Sequence, residues 1–148
     1  MSSPSEKVIL HVDDDEIIRN IVRTILTVEG FKSVSVASAQ EASAALRAQR
    51  VDLVVADLVM PGRSGTAFLR ELKNTAHARN PVFVVTGLAL DADATSMIRR
   101  EANIVEFITK PLNIDAFVAA LHKHLRTAPA QINAGPVSID SPASSAPS

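Results

Sequence analysis

The chain of 148 residues contains no cysteine. That removes disulfide frameworks, thiol catalysis and zinc thiolate centres, and a disulfide-free chain fits a reducing cytoplasm. Charge of one sign is also missing. Fifteen Lys and Arg stand against sixteen Asp and Glu, a formal net charge of -1, so neither a nucleic-acid surface nor a polybasic membrane patch is indicated and any charge effect must be local. No uncharged apolar run reaches the roughly 18 residues of a membrane span, and the opening Met1 to Lys7 has no basic region followed by an apolar core. The sequence therefore reads as a soluble, unexported, cytoplasmic protein. With 47% hydrophobic residues and one domain's length, it can bury a core without metal or disulfide support.

Two periodicities alternate along the chain. Val8 to Val12 is a short apolar run, followed by Asp13, Asp14 and Asp15 and then by Glu16 to Glu29, where Ile18, Ile21, Val22 and Ile25 recur at helical spacing. Gly30 stands where a helix end favours a left-handed residue. A second strand around Ser33 to Val36 precedes a helix from Ala39 to Arg47, opened by Ser38 and Glu41 at capping-box spacing. The third strand, Val51 to Asp57, is rich in β-branched residues and ends in a carboxylate ahead of Pro61. Gly62 and Gly65 bracket a loop, and Thr66 to Asn74 carries Phe68, Leu69 and Leu72 as an amphipathic helix. Pro81 opens a fourth strand ending at Thr86 and Gly87, a helix is expected over Asp91 to Glu101, and a fifth strand over Ile104 to Thr109. Lys110 and Pro111 close that strand, and Asn113 caps a last helix with Phe117, Val118, Leu121 and Leu125 on one face. Strands alternating with helices in this way predict an α/β fold, a parallel sheet covered on both faces. Residues 1–6 and the Pro, Ser and Ala-rich stretch 128–148 are expected to be disordered, the latter as a tail or a linker, around a domain at 7–127.

The chemistry-bearing residues gather at the strand ends. Asp13 and Asp14 follow the first strand, Asp57 ends the third, Thr86 the fourth, and Lys110 follows the fifth. In an open α/β sheet these ends form one crevice, the place where such folds bind ligands. Asp57 alone could do no more than cap a turn before Pro61. Beside two further acids its meaning changes, because carboxylates about 4 Å apart repel by roughly 1 to 4 kcal/mol and so invite a cation. A hard-oxygen donor set without His or Cys favours Mg2+ over zinc.

These pieces together, V-D-D at 12–14, D-L-V-M-P at 57–61, Gly65, V-T-G at 85–87 and T-K-P at 109–111, resemble the response-regulator receiver domains of the CheY type over about Lys7 to Thr127. The resemblance implies a doubly wound, flavodoxin-like five-stranded sheet of order 2-1-3-4-5. It implies that Asp57 accepts a phosphoryl group from a histidine kinase or a phosphotransfer protein, and that Mg2+ is held by Asp14, Asp57 and the backbone carbonyl of Val59, with Asp13 acting through water. Lys110 would pair with the phosphoryl oxygen opposite the metal, the Lys110–Pro111 bond would be cis, and Thr86 and Phe107 would form the switch pair. On this reading the protein is a signalling switch rather than an enzyme, catalysing only its own phosphotransfer and dephosphorylation. It would be a monomer or a phosphorylation-dependent dimer, contacting a target protein through the fourth helix, fifth strand and fifth helix, with no nucleic-acid or membrane partner. The alternative is a pseudo-receiver that binds protein and never takes phosphate.

Several residues have plainer readings. Asp15 is expected as a helix cap, His11 as a satisfied packing residue, Phe107 as either core or switch, and His122 and His124 as surface residues that point to different faces and cannot share a metal. A flavodoxin would need hydroxyls and amides, not three acids, in its first loop. A haloacid-dehalogenase-like phosphatase would need a second acid two residues after Asp57, where this chain has Val59.

Val59 and Leu88 also generate a prediction. Many receivers of this kind carry polar side chains at these two positions, where they help place the attacking water. An apolar pair offers that water no hydrogen bond and obstructs its in-line path. The phosphorylated form should therefore be long-lived, and Val59→Asn combined with Leu88→Glu should hasten loss of label from purified phosphoprotein in excess Mg2+. Equal rates in wild type and double mutant would refute the water-access argument.

Overall fold

The computed structural model describes residues 2–58, 65–87, 92–100 and 103–128. Val59, Pro61, Gly62, Leu88 and residues 129–148 lie outside the described residues, and so do the expectations attached to them. Five strands, β1 (Val8–Val12), β2 (Lys32–Val36), β3 (Leu53–Asp57), β4 (Val82–Thr86) and β5 (Ile104–Thr109), alternate with five helices, α1 (Glu16–Val28), α2 (Ala39–Ala48), α3 (Gly65–Leu72), α4 (Ala92–Arg99) and α5 (Ile114–Leu125). The strands form one parallel sheet in the expected order β2-β1-β3-β4-β5. α3 stops at Leu72 rather than Asn74, and β3 begins at Leu53 rather than Val51. α4 is described over Ala92–Arg99, with the expected ends Asp91 and Glu101 outside the described residues. Among the described residues no helix is long and apolar enough to cross a membrane.

Alternate strand residues divide the core into two slabs, because successive side chains of a strand face opposite ways. Leu10, Val12, Val54, Ala56, Val82 and Val84 pack against α2 and α3 through Leu46, Phe68 and Leu72. Ile9, Leu53, Val55, Phe83 and Val85 pack against α1 and α5 through Val22, Leu26, Phe117 and Leu121. The central strands β3 and β4 are buried at every position, which is why they read in the sequence as continuous apolar runs rather than alternating ones.

The helix ends follow the sequence. Asp15 Oδ1 accepts the amides of Ile17 at 2.9 Å and Ile18 at 3.3 Å, Ser38 Oγ that of Glu41 at 3.1 Å, and Asn113 Oδ1 that of Ala116 at 2.9 Å. Each satisfies a donor that the first turn leaves without an intrahelical partner. Gly30 leaves α1 at φ 89, a conformation that a β-carbon disfavours.

Four expectations need correction. Residues 2–6 are ordered: Pro4–Glu6 form a 3-10 turn, the Ser3 amide donates to Glu6 Oε1 at 2.8 Å, and the Ser2 amide donates to the Arg126 carbonyl at 3.1 Å. His122 is buried, not at the surface. Its Nδ1 lies 2.7 Å from Thr127 Oγ1 and its Nε2 lies 2.8 Å from Glu29 Oε1, and its ring packs on Phe31. His124 is half-buried, 2.9 Å from Glu106 Oε2 and edge-on to Phe83. On α1 the buried stripe runs through Val22 and Leu26, which leaves Ile21 44% and Ile17 70% exposed.

His11 is the fourth correction. It is buried, as a packing residue should be, but its Nδ1 has no hydrogen-bond partner. Burial first, then the positive charges of Lys110 and Arg19, lower its pKa from 6.5 to about 4, against a smaller opposing effect of Asp57. The imidazole is therefore neutral at pH 7. Between pH 6.5 and 4 the unfolded chain binds the proton and the folded one does not, so stability falls as pH drops through that window, by about 3 kcal/mol across it. Urea titrations without divalent cations should show His11→Phe losing less stability than wild type between these pH values. Parallel profiles for the two proteins would contradict the assignment.

Candidate functional site

The site lies at the carboxyl edge of the sheet and follows from strand register. Parallel pairing sets Val12 beside Ala56 and Asp57 beside Val85. Asp13, one residue past β1, and Asp57, the last residue of β3, are thereby forced together at adjacent strand ends. Both are buried, while Asp14 is exposed. Carboxylate oxygens of Asp13, Asp14 and Asp57 lie within 4.8 Å of one another.

Local hydrogen bonds hold the first acid. Asp13 donates its amide to the Val36 carbonyl at 3.1 Å, and its Oδ1 accepts the Asp15 amide at 2.9 Å. Arg19 Nη1 donates to the Asp13 carbonyl at 2.7 Å, a role that the sequence analysis missed. Its only signal is position: Arg19 lies on the first turns of the helix that follows the acids, and its long side chain reaches back to the strand end.

Lys110 supplies the opposing charge. Its Nζ lies 3.1 Å from Asp57 Oδ2, to which it donates, and 3.1 Å from Asp13 Oδ2. The second contact is an ion pair without hydrogen-bond alignment, so Asp13 Oδ2 remains a buried oxygen with no aligned donor. Burial alone would lower the Lys110 pKa. The close contacts with the carboxylates of Asp13 and Asp57 and their charges outweigh it, and the ammonium is held above its usual range. The lysine is thus charged throughout the neutral range. Its backbone is fixed as well, the Lys110 amide donating to the Thr86 carbonyl at 2.9 Å, and the Lys110–Pro111 peptide bond is cis.

One ammonium against three carboxylates leaves an acidic excess. The donors are hard oxygens, one of them on the exposed Asp14 and another the poorly satisfied Asp13 Oδ2. That set fits Mg2+, which binds through one or two carboxylates and keeps several waters, better than zinc.

Thr86 is buried at the end of β4, next to this cluster. Phe107 does not reach the crevice. A register shift between Val82 and Phe83 sets Phe107 opposite Val84, where it is half-buried with its ring under the Arg99 guanidinium, 4.7 Å from the centroid. Such a cation–π contact is worth about 0.5 to 1 kcal/mol at an exposed site. Any path from Thr86 to Phe107 therefore runs along the β4–β5 pairing, and it ends on a ring that α4 covers.

Comparison with known proteins agrees with this geometry. The profile of the response regulator receiver domain matches residues 9–122. The transcriptional regulatory protein YvrH of Bacillus subtilis is 34% identical over 119 residues, which cover 80% of this chain and 48% of that protein. The chain thus spans about half the length of the curated relatives it matches. Among solved structures, a CheY-like response regulator receiver domain protein of Methanospirillum hungatei superposes with a TM-score of 0.73 at 28% identity, covering 81% of this chain and 94% of that one. Response regulator protein TrrA of Thermotoga maritima, in complex with Mg2+ and BeF, gives 0.69 at 26% identity, covering 79% of this chain and 97% of that one. On sequence, sheet order and the placement of its acids alike, this chain belongs to the response-regulator receiver family, the phosphorylation-dependent signalling modules of two-component systems.

Proposed function

We propose that Asp57 is the phosphoacceptor of this receiver and that the chain works as a switch in a His-Asp phosphorelay. The observation that carries the reading is the Lys110 ammonium, 3.1 Å from Asp57 and 3.1 Å from Asp13 at the carboxyl edge of the sheet. An Asp57 carboxylate oxygen attacks the phosphorus of a phosphohistidine on a histidine kinase or phosphotransfer protein. The P–N bond breaks, the P–O bond of an acyl phosphate forms, and the imidazole departs. This transfer asks mostly for positioning and charge neutralisation, with little covalent chemistry from the protein.

Asp14 and Asp57 would hold Mg2+ together with the backbone carbonyl of Val59, and Asp13 would reach it through a water. When bound, the ion neutralises charge developing on the phosphoryl oxygens. Lys110 would neutralise the oxygen on the opposite side, drawn there from its ion pair with Asp13. Thr86 would hydrogen-bond the phosphoryl group, and Phe107 would turn in response as the loop after β4 moves. Because its ring lies under Arg99, the surface made by α4, β5 and α5 is the face we assign to a target protein.

The pseudo-receiver reading gains no support from this geometry, since a charged lysine between two acids serves phosphoryl transfer and is a poor way to bind protein. The test is labelling by acetyl phosphate or a phosphorylated kinase. Asp57→Asn should abolish acid-stable but alkali-labile label while circular dichroism shows the fold intact. Label that survives the substitution would place the acceptor elsewhere, and a wild type that no donor labels would favour the pseudo-receiver.

A further inference from the structure

Of the three acids, Asp14 is the one whose side chain the fold holds least. Asp13 and Asp57 are buried, and each lies against the Lys110 ammonium. Asp14 is exposed, and among the described residues its carboxylate has no hydrogen bond or ion pair. Its place within 4.8 Å of the other two therefore depends on the backbone that carries it.

That backbone is held on both sides of one peptide group. The Asp13 amide donates to the Val36 carbonyl at 3.1 Å, and the Asp15 amide donates to Asp13 Oδ1 at 2.9 Å. Between them lies the Asp13–Asp14 peptide. Because a peptide group is planar, whatever holds the Asp13 carbonyl also sets the direction in which Asp14 leaves it. Among the described residues, neither sheet nor helix supplies a donor to that oxygen: the pairing of β1 ends at Val12, and the first backbone bond of α1 runs from the Arg19 amide to the Asp15 carbonyl. The donor is the Arg19 guanidinium, whose Nη1 lies 2.7 Å away. Helix side chains lean toward the N-terminus, so a long one in the first turn reaches back past the cap, and a charge-assisted bond of this kind is among the stronger ones.

We propose that Arg19 is a positioning residue of this site: its guanidinium, bonded to the Asp13 carbonyl, aims Asp14 at the cation and so sets the affinity of the acids for Mg2+. The role rests on the reading that these acids hold Mg2+. It is separable from a plain charge effect, because the two have opposite signs. Arg19 is a cation near an acidic site, and its charge reaches β1, where it adds to burial and Lys110 in lowering the His11 pKa. By charge alone, removing it relieves repulsion and tightens a bound cation. By position, removing it loosens the cation, since groups that orient the direct ligands of a metal are worth about 10- to 100-fold in affinity. Position outweighs charge here, because a half-exposed cation is screened by water and salt.

The test is a calorimetric titration of Mg2+ into the full-length protein, without phosphodonor, at neutral pH and fixed ionic strength. Wild type should bind the ion saturably. Arg19→Met keeps an aliphatic stem but loses the donors and the charge, and should bind Mg2+ about tenfold more weakly. Arg19→Gln, neutral and too short for the carbonyl, should behave alike and carries the test if the methionine variant does not fold. Arg19→Lys retains a charged donor and should recover part of the loss. Arg23→Met removes a cation from the same helix whose guanidinium bonds Asn20 Oδ1 instead, and should bind as wild type does or slightly more tightly. Before any ion is added, the amide resonances of Asp14 and Asp15 should move in Arg19→Met and not in Arg23→Met. Binding as tight as wild type, or tighter, in folded Arg19→Met or Arg19→Gln overturns the role of Arg19 and leaves the cation site standing. A wild type that takes up no Mg2+ overturns the reading of the acids and the role of Arg19 with it.

Discussion

Crowding of negative charge at one end of the sheet governs this molecule. Each acid ends a strand or follows one, and strand register leaves no freedom in how far apart Asp13 and Asp57 lie. With carboxylate oxygens of three acids inside 4.8 Å, mutual repulsion of roughly 1 to 4 kcal/mol per close pair must be offset, and Lys110 offsets part of it. Its position depends on β5 being paired to β4 up to Thr86 and Thr109, and on the backbone hydrogen bond from Lys110 to Thr86. A sheet built to bring acids together therefore also brings the counter-charge, and the remaining deficit of positive charge is what a divalent cation would supply.

The two faces of the sheet have different tasks. The α2–α3 slab is filled against the sheet by large buried side chains such as Phe68, Leu69 and Leu72. The α1–α5 slab is tightly made at one end and open at the other. Near the amino ends of the strands, His122 joins α5 to the end of α1 through Glu29 and to the chain exit through Thr127. Near the acids, the same two helices part around His11 and leave Ile17, Ile21 and Ile114 in solvent.

Much of the architecture was legible because its causes are local. The strand-helix alternation, the caps at Asp15, Ser38 and Asn113, and Gly30 at the end of α1 depend on residues within a turn of one another. The convergence of Asp13, Asp14, Asp57 and Lys110 was legible for a topological reason, since parallel strands place their carboxyl ends on one edge. What could not be read depends on distant partners. His122 sits on a helix whose charged neighbours suggest a surface, and its partner Glu29 lies 93 residues away. The register shift between β4 and β5 decides that Phe107 meets Arg99, and no periodicity within one strand reveals a shift relative to its neighbour. Ile21 fitted the helical repeat yet stays half-exposed, because the repeat fixes spacing and not the rotation of the helix against the sheet.

The central claim is that the three acids form one cation site serving Asp57. It is tested most directly by the thermal midpoint in the presence and absence of millimolar Mg2+, for wild type and for Asp14→Ala. An ion that binds only the folded state at about 100 times its dissociation constant stabilises by about 2.7 kcal/mol. Wild type should therefore rise by several degrees, and Asp14→Ala, which lacks the exposed carboxylate but keeps Lys110 between Asp13 and Asp57, should rise far less. Equal shifts in the two proteins, or no shift in wild type, would contradict the account.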